Sequence, residues 1–289
     1  MKRIVYLLMT LSFILNSCSA YFEEAAGQPD VMKFKMNYPV TRATDAGFEA
    51  GNMIGIYVSS YNGETSLPLQ ISGNYANNVR PVYDGTEWSN TPLIYWTEGL
   101  FDVYAYYPYD SPGSVDAYSF NVALDQSSEK TEKSLGGYEA SDFLWAKAEA
   151  VSRMDLVPLT FKHCMSRLVI NLVKGEDFSG DIPSDAVVRI HSTVPSAFVD
   201  LSTGVVTKDG HGSYKTITAK RLSESKYAAI IVPQRLDNKL PLIEVITKNV
   251  SYLVESKFVF RYGTQHTVNI TLNNNPDKVK IEIGGEIEG

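Results

Sequence analysis

The chain has 289 residues, 44% of them hydrophobic, with 26 Lys plus Arg against 33 Asp plus Glu and a formal charge of −7. No basic excess argues for nucleic acid, and mild acidity favours solubility without naming a partner. Cys164 is the only cysteine beyond Cys18, so no disulfide is expected to staple an exported portion, and stability must come from burial in one large or two ordinary domains.

The N-terminus reads as an export signal. Lys2 and Arg3 supply the positive start and residues 4–15 (IVYLLMTLSFIL) the apolar stretch, which is too short for the roughly 20 residues of a spanning helix. Ser17 directly before Cys18, with Leu15 three positions back, resembles the bacterial lipobox, in which the cysteine thiol takes a diacylglycerol and becomes the new N-terminus. Asn16 is an unusual middle residue for that motif, and an ordinary signal with an incidental cysteine is the other reading. Residues 1–17 are thus the expected signal peptide. Their removal takes away Lys2 and Arg3, leaving 24 basic against 33 acidic residues, a charge of −9. Several acyl chains, at about 0.8 kcal/mol per buried CH₂, would hold the protein on a membrane.

Residues 18–30 are polar and without period, which suits a lipidated tether. Thereafter the pattern is nearly all strand. Residues 31–38 (VMKFKMNY) alternate, with Val31, Lys33 and Lys35 on one face and Met32, Phe34 and Met36 on the other. Apolar or alternating runs follow at 53–59, 101–107, 118–124, 157–163 and 166–172, punctuated by Gly, Pro, Asn and Ser clusters. Asp84-Gly85 and Gly136-Gly137 read as turns with positive φ. Only 141–154 (SDFLWAKAEAVSRM) could hold helix, and Phe143-Leu144-Trp145 followed by Ala-rich sequence fits either a strand end or a short turn of helix. Further strand-like runs at 186–191, 197–201, 214–219, 227–232, 242–247, 252–260 and 267–272 complete a second set, with a boundary expected near 165. The expected organisation is therefore one β-sandwich over 31–165 and another over 166–289.

Catalytic chemistry is hard to find. His163, His191, His211 and His266 lack the short spacing of a zinc site, and no nucleophile elbow, phosphate loop or dinucleotide glycine pattern is present. Cys164 beside His163 is poorly placed for proton transfer, because adjacent strand residues face opposite ways. A buried structural cysteine and a backbone-bonded histidine are expected instead. Tyr104 and Tyr106 on one strand face, with Tyr107 and Tyr109 on the other, could form a sugar platform, but core packing accounts for most such patterns. No catalytic residue, metal ligand or cofactor is assigned.

Several segments together resemble the fimbrillin family (Mfa-like, FimB-like) of Bacteroidetes surface proteins. They are Thr41-Arg42-Ala43-Thr44 followed by Phe48-Glu49-Ala50-Gly51-Asn52 and Ile54-Gly55-Ile56-Tyr57; Ile94-Tyr95-Trp96 followed by 101–108 (FDVYAYYP); Leu159-Thr160-Phe161-Lys162-His163 leading into Ser166-Arg167-Leu168; Ile231-Val232-Pro233-Gln234; and 262–272 (YGTQHTVNITL). The similarity spans 31–283. Asn52 stands where Asp is usual, and the tail lacks the tryptophan many members carry.

The resemblance implies an all-β fold of two tandem transthyretin-like antiparallel β-sandwiches, a lipoprotein precursor at the outer membrane and cell surface, and a non-enzymatic role in a fimbrium supporting adhesion or biofilm formation. It also implies assembly by strand exchange, in which a protease cuts after an arginine, removes the first strand, and the groove accepts a strand from the next subunit. Arg42 is the only arginine between Arg3 and Arg80, so cleavage between Arg42 and Ala43 is the candidate; an ordinary solvated turn arginine is the alternative. In the tail, Val279, Ile281 and Ile283 share one face of a candidate donor strand. Expected partners are other fimbrial subunits, a host protein or glycan, and the membrane through the lipid. Stalk, tip and anchor roles stay open, as does a non-polymerising, surface-anchored glycan-binding lipoprotein.

Overall fold

The structure, a computed structural model, describes residues 30–39, 47–89, 91–132 and 134–288. Its described elements are almost all β-strands. The first half contains β1 (Phe34–Asn37), β2 (Gly55–Asn62), β3 (Thr65–Ser66), β4 (Ala76–Val79), β5 (Val82–Tyr83), β6 (Trp88–Ser89), β7 (Phe101–Tyr107), β8 (Tyr118–Asn121), a short helix α1 (Gly137–Ser141), β9 (Leu144–Val151), β10 (Val157–Thr160) and β11 (Lys162–His163). Strands β11, β9, β7, β2 and β3 lie in that order in an antiparallel sheet, with β4 also on β2. Ile56 faces Ala105, and Ala105 faces Ala146 across the next pair.

Strand β7 is buried at every position. A strand covered on one face alternates, whereas one covered on both reads as a continuous apolar run, and FDVYAYY is such a run. Val103, Ala105 and Tyr107 pack with Ile56, Val58 and Trp96 into one buried cluster. Tyr104 and Tyr106, on the opposite face, join Tyr57, Tyr118 and Phe143 in a second cluster that continues into the C-terminal half. Tyr104 and Tyr106 thus pack in a different cluster from Trp96. They are buried, but against the other layer, so they do not form an exposed sugar platform.

The second half contains β12 (Ser166–Lys174), β13 (Val187–Thr193), β14 (Ser196–Val199), β15 (Val206–Lys208), β16 (Lys215–Thr218), β17 (Lys220–Arg221), β18 (Lys226–Ile231), β19 (Gln234–Thr247), β20 (Val250–Phe260), β21 (Thr264–Leu272) and β22 (Lys280–Glu288). One sheet runs β17-β18-β12-β21-β22 and another β16-β13-β19-β20. Ile170, Ile190, Ile230, Ile243 and Ile270, from five strands of these two sheets, are fully buried in one cluster. A third sheet, β15-β14-β8, joins β8 of the first half to β14 and β15 of the second. The two halves are tied further by Trp145, whose Nε1–H donates to Leu201 O at 2.7 Å. Gly204 lies beneath that indole at φ 75°, where a Cβ would come within 2.6 Å of the ring.

Two local readings change. Gly136 has φ −63°, so Gly136-Gly137 is not a positive-φ turn; Gly137 is required because a Cβ there would lie 2.0 Å from Asp125 O. The helix occupies 137–141, ahead of the segment that could hold it, and most of 141–154 is strand β9, the other reading of that segment. Isolated glutamines close the framework. Gln126, fully buried, exchanges two 2.7 Å hydrogen bonds with the backbone of Ile230. Gln234 does the same for Val194, accepting its N–H at 2.9 Å and donating to its carbonyl at 3.1 Å. Each amide side chain takes the place of a neighbouring strand's peptide group.

Candidate functional site: the first and last strands

The first strand is held from two sides in succession. Residues 30–32 lie against 94–96, with Met32 N–H donating to Ile94 O and Trp96 N–H to Asp30 O, both at 2.8 Å. From Lys33 onward the chain turns to β10 in parallel pairing, with Val157 N–H donating to Lys33 O at 2.8 Å and Phe161 N–H to Asn37 O at 3.0 Å. Alternation does what the sequence requires. Met32 (0% exposed) and Phe34 (9%) enter the cluster with Trp96, Val157 and Leu159, while Lys33 and Lys35 face solvent. Taking this strand away would uncover apolar side chains together with backbone donors and acceptors that need a new partner.

Asn52, where the family usually has Asp, accepts the Glu49 N–H through Oδ1 at 3.0 Å, a role either residue can fill. Cys18, Arg42 and Ala43 lie outside the described residues.

Strand β22 ends the chain as the edge of its sheet, antiparallel to β21. Val279 and Ile281 pack against the second cluster, whereas Ile283 is 69% exposed. The register shifts by one residue opposite Thr267 and Val268, where Gly285 adopts φ 142°. Beyond the shift Glu286 bonds His266 Nδ1 at 3.1 Å and pairs with Arg261. His266 is fully buried, and its Nε2 accepts the Arg261 N–H at 3.1 Å. The other edge of β22 carries no strand among the described residues.

The remaining histidines and Cys164 are spread through the fold. His163 is buried and bonds the Asp142 carboxylate at 2.9 Å, which corrects the expected backbone partner. His191 lies between Thr216 and Glu244. Cys164 is fully buried and accepts a hydrogen bond from Tyr262 OH at 3.2 Å. Burial of the Tyr262 phenol, with Cys164 beside it, raises its pKa well above the ordinary tyrosine range. No group of three His, Cys, Asp or Glu able to hold a metal gathers among the described residues. Sequence reasoning found the alternating first strand but missed that residues 94–96 bond it before β10 does, since that pairing has no local signal.

The model of the fimbrillin-like family matches residues 41–289. No curated protein matches the chain. Among solved structures, a candidate cell adhesion protein of Bacteroides ovatus is 17% identical with a TM-score of 0.71, over 90% of this chain and 98% of that one. A candidate cell adhesion protein of Bacteroides uniformis is 19% identical with a TM-score of 0.65, over 89% and 97%. A fimbrial protein of Bacteroides vulgatus is 13% identical with a TM-score of 0.51, over 89% and 98%. At such identities these likenesses concern the fold, while the family match covers most of the chain. The chain belongs to the fimbrillin-like family, as a fimbrial and non-enzymatic protein.

Proposed function

We propose that the protein is a lipid-anchored precursor of a surface fimbrial subunit, tethered through Cys18, cut between Arg42 and Ala43, and assembled when a strand from a neighbouring subunit replaces β1. The observation that carries this reading is the way β1 is held. It buries Met32 and Phe34 and satisfies backbone groups of Ile94, Trp96, Val157 and Phe161, yet no other strand continues its far edge among the described residues. A strand of the same alternation, supplied by another subunit, meets the same requirements of hydrogen bonding and burial. Residues 278–283 are the candidate donor, with Val279, Ile281 and Ile283 on one face. Adhesion, biofilm support and contact with a host protein or glycan follow from display on such a fimbrium.

Mass spectrometry of the N-terminus of protein recovered from cells tests the reading. A precursor beginning at a diacylated Cys18 and an assembled form beginning at Ala43 are expected. An assembled form that still carries residues 30–39 would exclude strand release.

A further inference from the structure

His163 and Arg167 come from one sequence segment, and both line a cavity of about 90 Å³ that Tyr38, Tyr107 and Asp142 also border. Both are almost wholly buried, His163 at 1% and Arg167 at 3% exposure. Arg167 donates through one terminal nitrogen to Gln265 Oε1 at 2.9 Å, and it makes no ion pair among the described residues. Its Nε and the Nε2 of His163 are buried without a hydrogen-bond partner among the described residues. A guanidinium cannot shed its charge, and leaving one buried without an anion is costly, by several kcal/mol in general. The nearby acids are matched to other cations. Glu49 pairs with Lys130 at 2.8 Å, Glu139 with Lys220 at 2.5 Å, and Asp142 with the His163 ring at 2.9 Å.

We propose that this cavity is a binding site for a single carboxylate group, received by Arg167 Nε–H and His163 Nε2–H. In the occupied site the imidazole carries both ring protons, with Nδ1–H on Asp142 and Nε2–H on the ligand. Two cations then face two anions and the charges close. The cavity has room for a group the size of acetate, while Tyr38 and Tyr107 limit anything larger. The carboxylate can come from a free small acid or from the acidic tail of a second copy, whose last residues read GGEIEG. The groups that receive the carboxylate, Arg167 and His163, and Asp142 behind them all lie beyond the proposed cleavage point, whereas Tyr38 on the cavity's border precedes it, so strand release would widen the site without removing its cations.

The test is a titration of the full mature chain with sodium acetate, against sodium chloride at equal ionic strength, read by the ¹⁵N shifts of the His163 ring and by the thermal midpoint. Acetate is expected to move the His163 Nε2 resonance to a saturable end point and to raise the midpoint by a few degrees. Arg167→Met, which keeps volume and removes the buried charge, is expected to abolish both effects while folding at least as stably. Ring shifts that stay at their chloride values, or an acetate response unchanged in Arg167→Met, would overturn the site; the wild-type ring titration decides the matter even if the variant fails to fold. Given acetate binding, a peptide of residues 284–289 distinguishes the sources: competition assigns the carboxylate to a neighbouring tail, and its absence to a free small acid.

Discussion

Phe34 lies opposite Val157 in parallel register, although Asn37 and Thr160, the last pair of the same register, are 123 positions apart in the chain. The first strand is therefore attached through non-local contacts at a sheet margin, and no turn among the described residues joins it to a neighbouring strand. Such a strand contributes burial without being woven into the sequence that surrounds it. In the proposed strand exchange, it is the element that a strand of similar pattern from another molecule would replace.

Phe34→Ala should destabilise the precursor by about 3 kcal/mol, as truncation of a mostly buried phenylalanine does. Denaturant unfolding of the full precursor measures it. Protein starting at Ala43 has no Phe34, so its polymer should be insensitive to the change.

Trp96→Ala should cost about 3–5 kcal/mol, because the indole is 4% exposed inside the first cluster. Trp96→Phe should cost less than half as much. It keeps a ring beside Phe101 and removes a buried Nε1–H that has no acceptor among the described residues. Chemical denaturation of both variants checks the order, and equal stability of Trp96→Ala and the parent would show that the site is not core.

Asp102 accepts hydrogen bonds from Tyr61 OH and Ser66 Oγ, each at 2.8 Å, and from Ala150 N–H at 2.9 Å, where Ala150 holds φ 50°. Burial works to raise its pKa, but the bonds from Ala150, Tyr61 and Ser66 outweigh it and hold the carboxyl below the usual range. The folded pKa is thus below the unfolded one. The carboxylate's stabilisation is present in full above about pH 4, near the unfolded aspartate value, and fades as pH falls through the folded value. Asp102→Asn should cost about 2 kcal/mol at neutral pH and flatten the loss of stability below pH 4. A variant with the parent's acid profile would assign that profile to other groups.

Ile281 and Ile283 should separate folding from assembly. Ile281 packs on the second cluster and Ile283 is mostly exposed. Ile283→Glu should leave the monomer's stability within about 0.5 kcal/mol of the parent, as surface changes usually do, yet weaken polymer formation. Ile281→Glu should lower both. Ile283→Glu polymers as abundant as the parent's would remove this tail from the donor role.

How much of this could be read in the sequence depended on the range of each interaction. Met32, Phe34 and Met36 alternate with two lysines, so the buried face of β1 was legible residue by residue. The run 101–107 announced a strand but not its two partners, because continuous apolar character says that both faces are covered and not by what. Tyr106 therefore fell to a different cluster from Trp96. Gly137 was misread because a close approach to Asp125 O leaves the same letter in the sequence as a turn. Gln126 and Gln234 stand in for missing strands across 104 and 40 positions, and nothing local marks a polar residue for such a role. At the cavity, His163 and Arg167 were legible as parts of one motif. Their meeting with Asp142 required the pairing of β11 with β9, which sets His163 opposite Leu144, two positions after Asp142.

The most direct test of strand exchange is the high-molecular-weight ladder on cells, compared between the parent and Arg42→Ala without heating the sample. Strand release at Arg42 predicts that the variant accumulates as a full-length monomer of parental stability and forms no ladder, while trypsin cuts the folded parent first at this position. A normal ladder from Arg42→Ala cells, built of subunits that retain residues 30–39, would contradict the account.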